Sequence, residues 1–257
     1  MVSIGKIKKS VYSILKKSFY YNPNIFFTFK PLKIYEFKEL VKNAKITHKD
    51  IILDVGCGQG LPTLLIGKKC KKIYGIDISK RFLRIAKMRS RYLKRKENRE
   101  FLQIRLEHAG FKEEFFDKVF FICVLEHIPN YIEVLTEAHR VLRKGGKLLL
   151  SVDSLEAIDD KKLVEYQKKK CHVENYFREY DLMKTLSNIG FNDIVIYPIF
   201  RSDYAKKLYT KHLEDINEKQ NKFRHLNFLY RYIILKHRES RCLNQKKGIF
   251  LIAKCYK

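Results

Sequence analysis

The chain has 257 residues, long enough for one well-buried core with some elaboration, and its 46% hydrophobic and 13% aromatic content sets it apart from disordered sequences. No apolar run approaches the roughly 18 residues that cross a bilayer, and lysines interrupt every apolar stretch of the first 21 residues, so neither a membrane span nor a signal peptide is expected. The net charge of +26, from 54 basic and 28 acidic residues, predicts attraction to anionic partners and says nothing about fold.

In chain order, residues 1–48 read as an N-terminal helical extension of two helices. The first carries Ile4, Ile7, Val11, Ile14 and Leu15 along one side. From Lys49 to Val152 short apolar runs alternate with longer amphipathic ones. IILDV, KIYGID, FLQIR, KVFFICV and KLLLSV are predicted strands, rich in branched and aromatic residues. LPTLLIGKKC, KRFLRIAKMRSRYLKR and YIEVLTEAHRVLRK are the predicted helices between them. In the last, Ile132, Leu135, His139 and Leu142 recur at helical spacing, Asn130 and Glu133 predict a capping box, and Gly145-Gly146 the stop. NYFREYDLMKTLSNIGF then reads as a helix and NDIVIYPIF as a strand. A basic helical insert over about 201–247 precedes a last strand, GIFLIAKCY. Strand and helix alternating in this way predict an α/β fold, a doubly wound and mostly parallel sheet, with residues 49–257 as the main domain.

The chemistry centres on LDVGCGQG, residues 53–60, where a strand turns into a helix. Gly56, Gly58 and Gly60 let the backbone turn tightly and approach a ligand closely. The spacing is GxGxG, with Leu61 where the third glycine of a dinucleotide motif would fall, and Asp54 is placed to hold the ammonium of an amino-acid moiety. Asp77, in YGIDIS, ends the next strand 21 residues after Gly56, close to the spacing of an acid that accepts ribose hydroxyls. It can equally help Ser79 cap the following helix. Ile78 would lie against a base. The basic stripe Lys80, Arg84, Lys87, Arg91 and Lys94 can track phosphates or form a solvated face opposite Phe82, Ala86 and Leu93. The six cysteines show no CxxC pair, which speaks against a metal cage or disulfide framework and suits a reducing, cytoplasmic setting.

These motifs resemble the class I S-adenosylmethionine-dependent methyltransferases, and within them the type 11 methyltransferase domain. LDVGCGQG and GIDIS are similar to its first two motifs, and HAGFKEEFFDKVFFICVLEHIPN to the stretch from its third strand through its fourth. HRVLRKGGKLLLSV and HVENYFREYDLMKTLSNIGF follow in the expected order, so the resemblance covers residues 50–200. It implies strand order 3-2-1-4-5-7-6 with an antiparallel last strand, and S-adenosyl-L-methionine as cofactor. It sets the methionine end against Asp54, Gly56 and Gly58, the ribose on Asp77, and the adenine beside Ile78. The acid that bonds the adenine amine in relatives falls at Arg105 here; a slip of one or two residues brings Glu107 into the role instead, and the backbone N–H of Leu106 can serve a ring nitrogen. Cys123 can offer its backbone to the cofactor ammonium.

LEHIPN follows the fourth strand, and it lacks the Asn/Asp-Pro-Pro-aromatic motif of enzymes that methylate base amines. His127 stands at the carboxyl end of a central strand, where it can take a proton from an acceptor hydroxyl or simply pack in its loop. The expected acceptor is a small-molecule, sugar or lipid-linked hydroxyl; RNA is the alternative that the charge favours, and a non-catalytic binding module the third. Residues 201–257 carry 15 basic and 5 acidic side chains, which together with the first helix suggests a peripheral contact with an anionic membrane, a lid, or a dimer seam.

Overall fold

The computed structural model describes residues 31–91, 98–214 and 228–257. The expected helix around Ile4–Leu15, and Leu93 and Lys94 of the basic stripe, lie outside the described residues. Helix α1 (Pro31–Ala44) leads into β1 (Ile51–Val55), α2 (Leu61–Ile66), β2 (Lys72–Asp77), α3 (Lys80–Arg91), β3 (Arg99–Gln103) and β4 (Phe116–Ile122). Then come α4 (Tyr131–Val141), β5 (Leu142–Asp153), α5 (Lys161–Cys171), α6 (Glu179–Ile189), β6 (Asn192–Ile199), α7 (Asp203–Glu214), α8 (Phe228–Ser240) and β7 (Phe250–Tyr256).

One seven-stranded sheet has the order β3-β2-β1-β4-β5-β7-β6. The pairs from β3 to β5 are parallel, and β7 runs antiparallel to both β5 and β6. Side-chain alternation splits the core into two layers. Leu53, Phe121, Leu148 and Leu150 face α4 and α6, whereas Ile52, Phe120 and Leu149 face α1, α7 and α8. The central strands are thus apolar on both sides, as a sheet covered on both faces requires.

Several expectations need correction. α4 buries Val134, Leu135, Ala138 and Val141, while Ile132 is 53% exposed, so the apolar face is rotated from the one predicted. Asn130 makes no side-chain cap bond, and Gly145-Gly146 lie within β5, whose pairing already starts at Leu142 opposite Phe116. On α3 the basic residues do face outward, but Phe82 is exposed with them; Leu83, Ala86, Arg89 and Ser90 form the buried face. Helix α6 begins only at Glu179, and α5 was not expected at all; Asp160 caps it by accepting from the N–H groups of Lys162 and Leu163.

Within the insert, α7 and α8 fold back over α1. Ala205, Tyr209 and Leu235 join Leu40 and Ala44 in one apolar cluster. The buried carboxylate of Glu239 fastens the two helices, accepting from the N–H groups of Arg201 and Ser202 and from the Ser202 hydroxyl. Among the described residues no helix is long and apolar enough to cross a membrane. All six cysteines are free.

Candidate functional site

The glycine turn is held by backbone. After β1 the chain passes through Gly56 at φ +66° and Gly58 at φ +52°, a left-handed conformation that side chains disfavour. A Cβ on Gly56 would lie 2.1 Å from Cγ2 of Val124, so the loop after β4 can press against the turn only because that atom is missing. A Cβ on Gly58 would meet nothing within 4 Å, which means that its backbone borders open space. Gly60, also left-handed, packs on Ala86 and Phe101 instead. The N–H of Cys57 bonds the Ile76 carbonyl at 2.9 Å, and Arg89 Nη1 donates to the Gln59 carbonyl at 3.0 Å, tying the turn to β2 and α3.

Asp77 ends β2 beneath this turn. Its Oδ2 accepts the Gly58 N–H at 2.8 Å and its Oδ1 accepts the Ser79 N–H at 2.7 Å. The carboxylate is therefore aimed by two backbone donors, and each oxygen keeps a second acceptor position. The bond to Ser79 that starts α3 therefore leaves acceptor capacity on the carboxylate. Next to it Ile78 is 65% exposed, with its carbonyl held by Gln103 Nε2 at 3.2 Å. Leu106 is buried at the start of a single turn, Leu106–His108; Arg105 before it is exposed and Glu107 partly buried.

A cavity of about 250 Å³ opens against the turn. Asp54, Gly56, Cys57 and Gly58 form one wall, Leu61, Pro62 and Ile122 continue it, and Lys33, Glu36 and Phe37 of α1 close it. Asp54 is 1% exposed. Burial pushes its carboxyl up to about 7; the hydrogen bond from the Thr63 hydroxyl opposes this and the charge of Asp77 adds to it. A buried carboxyl that pairs with no cation among the described residues, beside open space, is a place where an ammonium fits.

Lys33 and Glu36 went unnoticed in the sequence. Leu32, Glu36, Leu40 and Ala44 form the buried stripe of α1 at four-residue spacing, and a carboxylate in such a stripe is the signal that marks Glu36. Glu36 pairs with Lys33 Nζ at 3.0 Å and accepts from the Ser151 hydroxyl. Cys123, at φ +47°, joins them: its Sγ donates to Glu36 Oε1 at 2.8 Å and accepts from Lys33 Nζ at 3.0 Å. Burial, followed by the charge of Glu36, pushes the Cys123 thiol well up. The Cys123 N–H bonds the Ser151 carbonyl at 3.0 Å, so of its backbone only the carbonyl is left for a ligand.

Behind Cys123, at the ends of β4 and β5, lie Glu126 and Asp153, 1% and 5% exposed. Asp153 accepts from Gln167 Nε2 at 2.6 Å, and Gln167 in turn from the Tyr176 hydroxyl. Burial pushes both carboxyls up; the charge of Asp153 adds to the effect at Glu126, while Lys33 offsets part of it at Asp153. His127 stands on the outside of the same turn, exposed and apart from the cavity lining. Its Nδ1 lies 3.0 Å from the His172 carbonyl, which can only accept, so Nδ1 carries the proton and Nε2 is the basic nitrogen.

Residues 53–150 match the family model described as a methyltransferase domain. A demethylmenaquinone methyltransferase from Alkalihalophilus pseudofirmus is 33% identical over 120 residues, 44% of this chain and 48% of the relative. A ubiquinone biosynthesis O-methyltransferase from Hydrogenovibrio crunogenus is 31% identical over 121 residues, 47% of this chain and 48% of the relative. The chain thus spans about half the length of these curated relatives. Among solved structures, phosphoethanolamine N-methyltransferase 2 of Haemonchus contortus superposes with a TM-score of 0.67 at 16% identity, covering 92% of this chain and 57% of that one. Geranyl diphosphate C-methyltransferase of Streptomyces coelicolor superposes with a TM-score of 0.61 at 13% identity, covering 87% and 78%. These likenesses establish the fold, and the sequence match establishes a methyltransferase domain over residues 53–150, with class I S-adenosylmethionine-dependent methyltransferases as its homologues.

Proposed function

We propose that this protein transfers the methyl group of S-adenosylmethionine to a hydroxyl of a small-molecule or lipid-linked acceptor. The observation that carries the reading is the cradle itself: a glycine turn bordering open space, over a carboxylate aimed by two backbone donors. The residues fit the cofactor. Asp54 would face the ammonium, with Gly56, Gly58 and Gly60 shaping the turn around the methionine end and the Cys123 carbonyl beside it. Asp77 would accept the ribose hydroxyls, Ile78 would cover the adenine, and the Leu106 N–H would meet its ring. Bound there, S-adenosylmethionine supplies a methyl group on a positively charged sulfur that is already activated for displacement. The protein's own task is then to align the acceptor oxygen behind that methyl and to exclude water. The acceptor proton leaves as the methyl arrives, and in this reading His127, whose Nδ1 is held by the His172 carbonyl, would receive it on Nε2.

The relatives named for demethylmenaquinone and ubiquinone biosynthesis support a small acceptor. RNA is favoured by the charge of +26 and opposed by LEHIPN, which offers no base-stacking aromatic. A cytoplasmic enzyme resting on an anionic membrane is the location we propose, since Tyr230 and Ile233 on α8 and Leu243 beyond it are exposed among basic side chains. Methyl-labelled S-adenosylmethionine, incubated with the protein and fractionated cell extract, tests the activity: label should enter a small-molecule or lipid fraction and survive nuclease. Nuclease-sensitive label would turn the reading to RNA.

A further inference from the structure

The buried acids behind Cys123 do not line the cavity at the glycine turn, and their chemistry says something about the acceptor. The sulfur of Cys123 and carboxylate oxygens of Glu126 and Asp153 lie within 4.8 Å of one another. Glu126 Oε2 is buried and has no hydrogen-bond partner among the described residues. A buried carboxylate oxygen in that state is costly unless a donor arrives. The local charge points the same way. Glu36, Glu126 and Asp153 bring three carboxylates to one place, and the neighbouring ammonium of Lys33 is already engaged by Glu36 and Cys123.

We infer that the acceptor carries a protonated amine, which docks between Glu126 and Asp153 from the side of the cofactor cavity. This rests on the reading above, in which the protein methylates a small acceptor beside the cofactor. Cys123, partly exposed and part of the cluster, is bonded to Lys33 and Glu36, which both line that cavity. An ammonium group brings one charge and three donors, enough to satisfy Glu126 Oε2 and the open side of Asp153 together. A divalent metal ion suits the place less well. The thiol is spent on Glu36, Lys33 Nζ stands 3.0 Å from the sulfur, and Gln167 already occupies Asp153 Oδ2. Raised carboxyl pKa values at Glu126 and Asp153 agree with a pair that awaits a cation.

The test uses the full chain without cofactor at pH 8 and three probes followed by calorimetry: n-butylammonium, its neutral counterpart 1-butanol, and Mg²⁺. Butylammonium should bind saturably and butanol should not. Glu126→Gln and Asp153→Asn, which keep size and hydrogen bonding, should each weaken the amine at least tenfold. Their affinity for S-adenosylmethionine should match the parent's. Equal binding of amine and alcohol, amine binding unchanged in both variants, or no saturable amine binding overturns the inference. So does tight Mg²⁺ binding that expels the amine, which would make the cluster a metal site. A parent that takes the amine through these carboxylates but does not bind S-adenosylmethionine would refute the methyltransferase reading and leave the cation site standing.

Discussion

The proposed cofactor half and the proposed acceptor half of the site are built by different means. The cofactor half comes from one stretch of eight residues, 53–60, and one acid at the end of the next strand, and most of its contacts are backbone contacts. The acceptor half draws Lys33 and Glu36 from α1, Cys123 and Glu126 from beyond β4, and Ser151 and Asp153 from β5, and it is made of side chains. Backbone geometry depends on local sequence, so a glycine pattern announces it. A side-chain chamber exists only once the sheet has brought distant positions together.

The largest expected effect breaks the first half. Gly58→Val places a branched side chain in the open space beside the turn and in a left-handed conformation costing roughly 1–2 kcal/mol. Calorimetry should show no S-adenosylmethionine binding while circular dichroism shows a folded protein. Retained binding would mean that the turn does not border the cofactor.

His127 comes next, because it belongs to the acceptor half and should leave the cofactor half untouched. If it acts as the general base proposed above it contributes about 10²–10⁴-fold in rate, so His127→Ala should then lower kcat by that range at unchanged affinity for S-adenosylmethionine. His127→Gln keeps a hydrogen bond to the His172 carbonyl but cannot take the proton, and should be nearly as slow. Activity restored by glutamine would make His127 a positioning residue.

What could be read from the sequence follows the same division. The doubly wound sheet and the glycine turn beside Asp77 were legible, because strand–turn–helix grammar is local, and the strand order followed from the family resemblance carried by motifs that keep their order. The chamber was not. Glu36 sits at an apolar-stripe position that a reading of α1 as a mere extension passes over, and Asp153 is a polar residue at the end of a long apolar strand. α5 was missed because its fully buried residue is the polar Gln167 and its apolar stripe, Leu163, Val164 and Cys171, is sparse and only partly buried. The face of α4 was misjudged by choosing Ile132 over Val134, a choice that only the packing against α6 and the sheet decides.

A smaller effect belongs to Asp77. Each charged hydrogen bond contributes about 1.5–3 kcal/mol, so Asp77→Ala should weaken S-adenosylmethionine roughly tenfold or more. That variant also strips the partners from Gly58 N–H and Ser79 N–H. Asp77→Asn keeps acceptor capacity on one side and should recover part of the affinity. If alanine and asparagine bind like the parent, the ribose is not on Asp77.

The subtlest prediction concerns Asp54, and it asks whether the two halves titrate separately. An unfolded aspartate has a pKa near 3.9, whereas burial pushes the folded carboxyl of Asp54 up to about 7. The folded protein therefore holds a proton that the unfolded chain releases. Its stabilising contribution is complete below about pH 4 and disappears as pH rises to about 7, so the cofactor-free protein should lose melting temperature across that window. A cofactor ammonium beside Asp54 favours the ionised carboxylate, which makes S-adenosylmethionine bind more tightly as pH rises through about 7, about tenfold for each pKa unit that binding reverses. Asp54→Asn still accepts from the Thr63 hydroxyl and should flatten both dependences. Glu126 and Asp153 are raised in the same direction and add their own slope to stability, so the informative quantity is the difference between parent and variant. If the pH dependence of cofactor affinity survives in Asp54→Asn and disappears in Glu126→Gln, the acceptor chamber reaches the cofactor electrostatically, and the two halves act as one site.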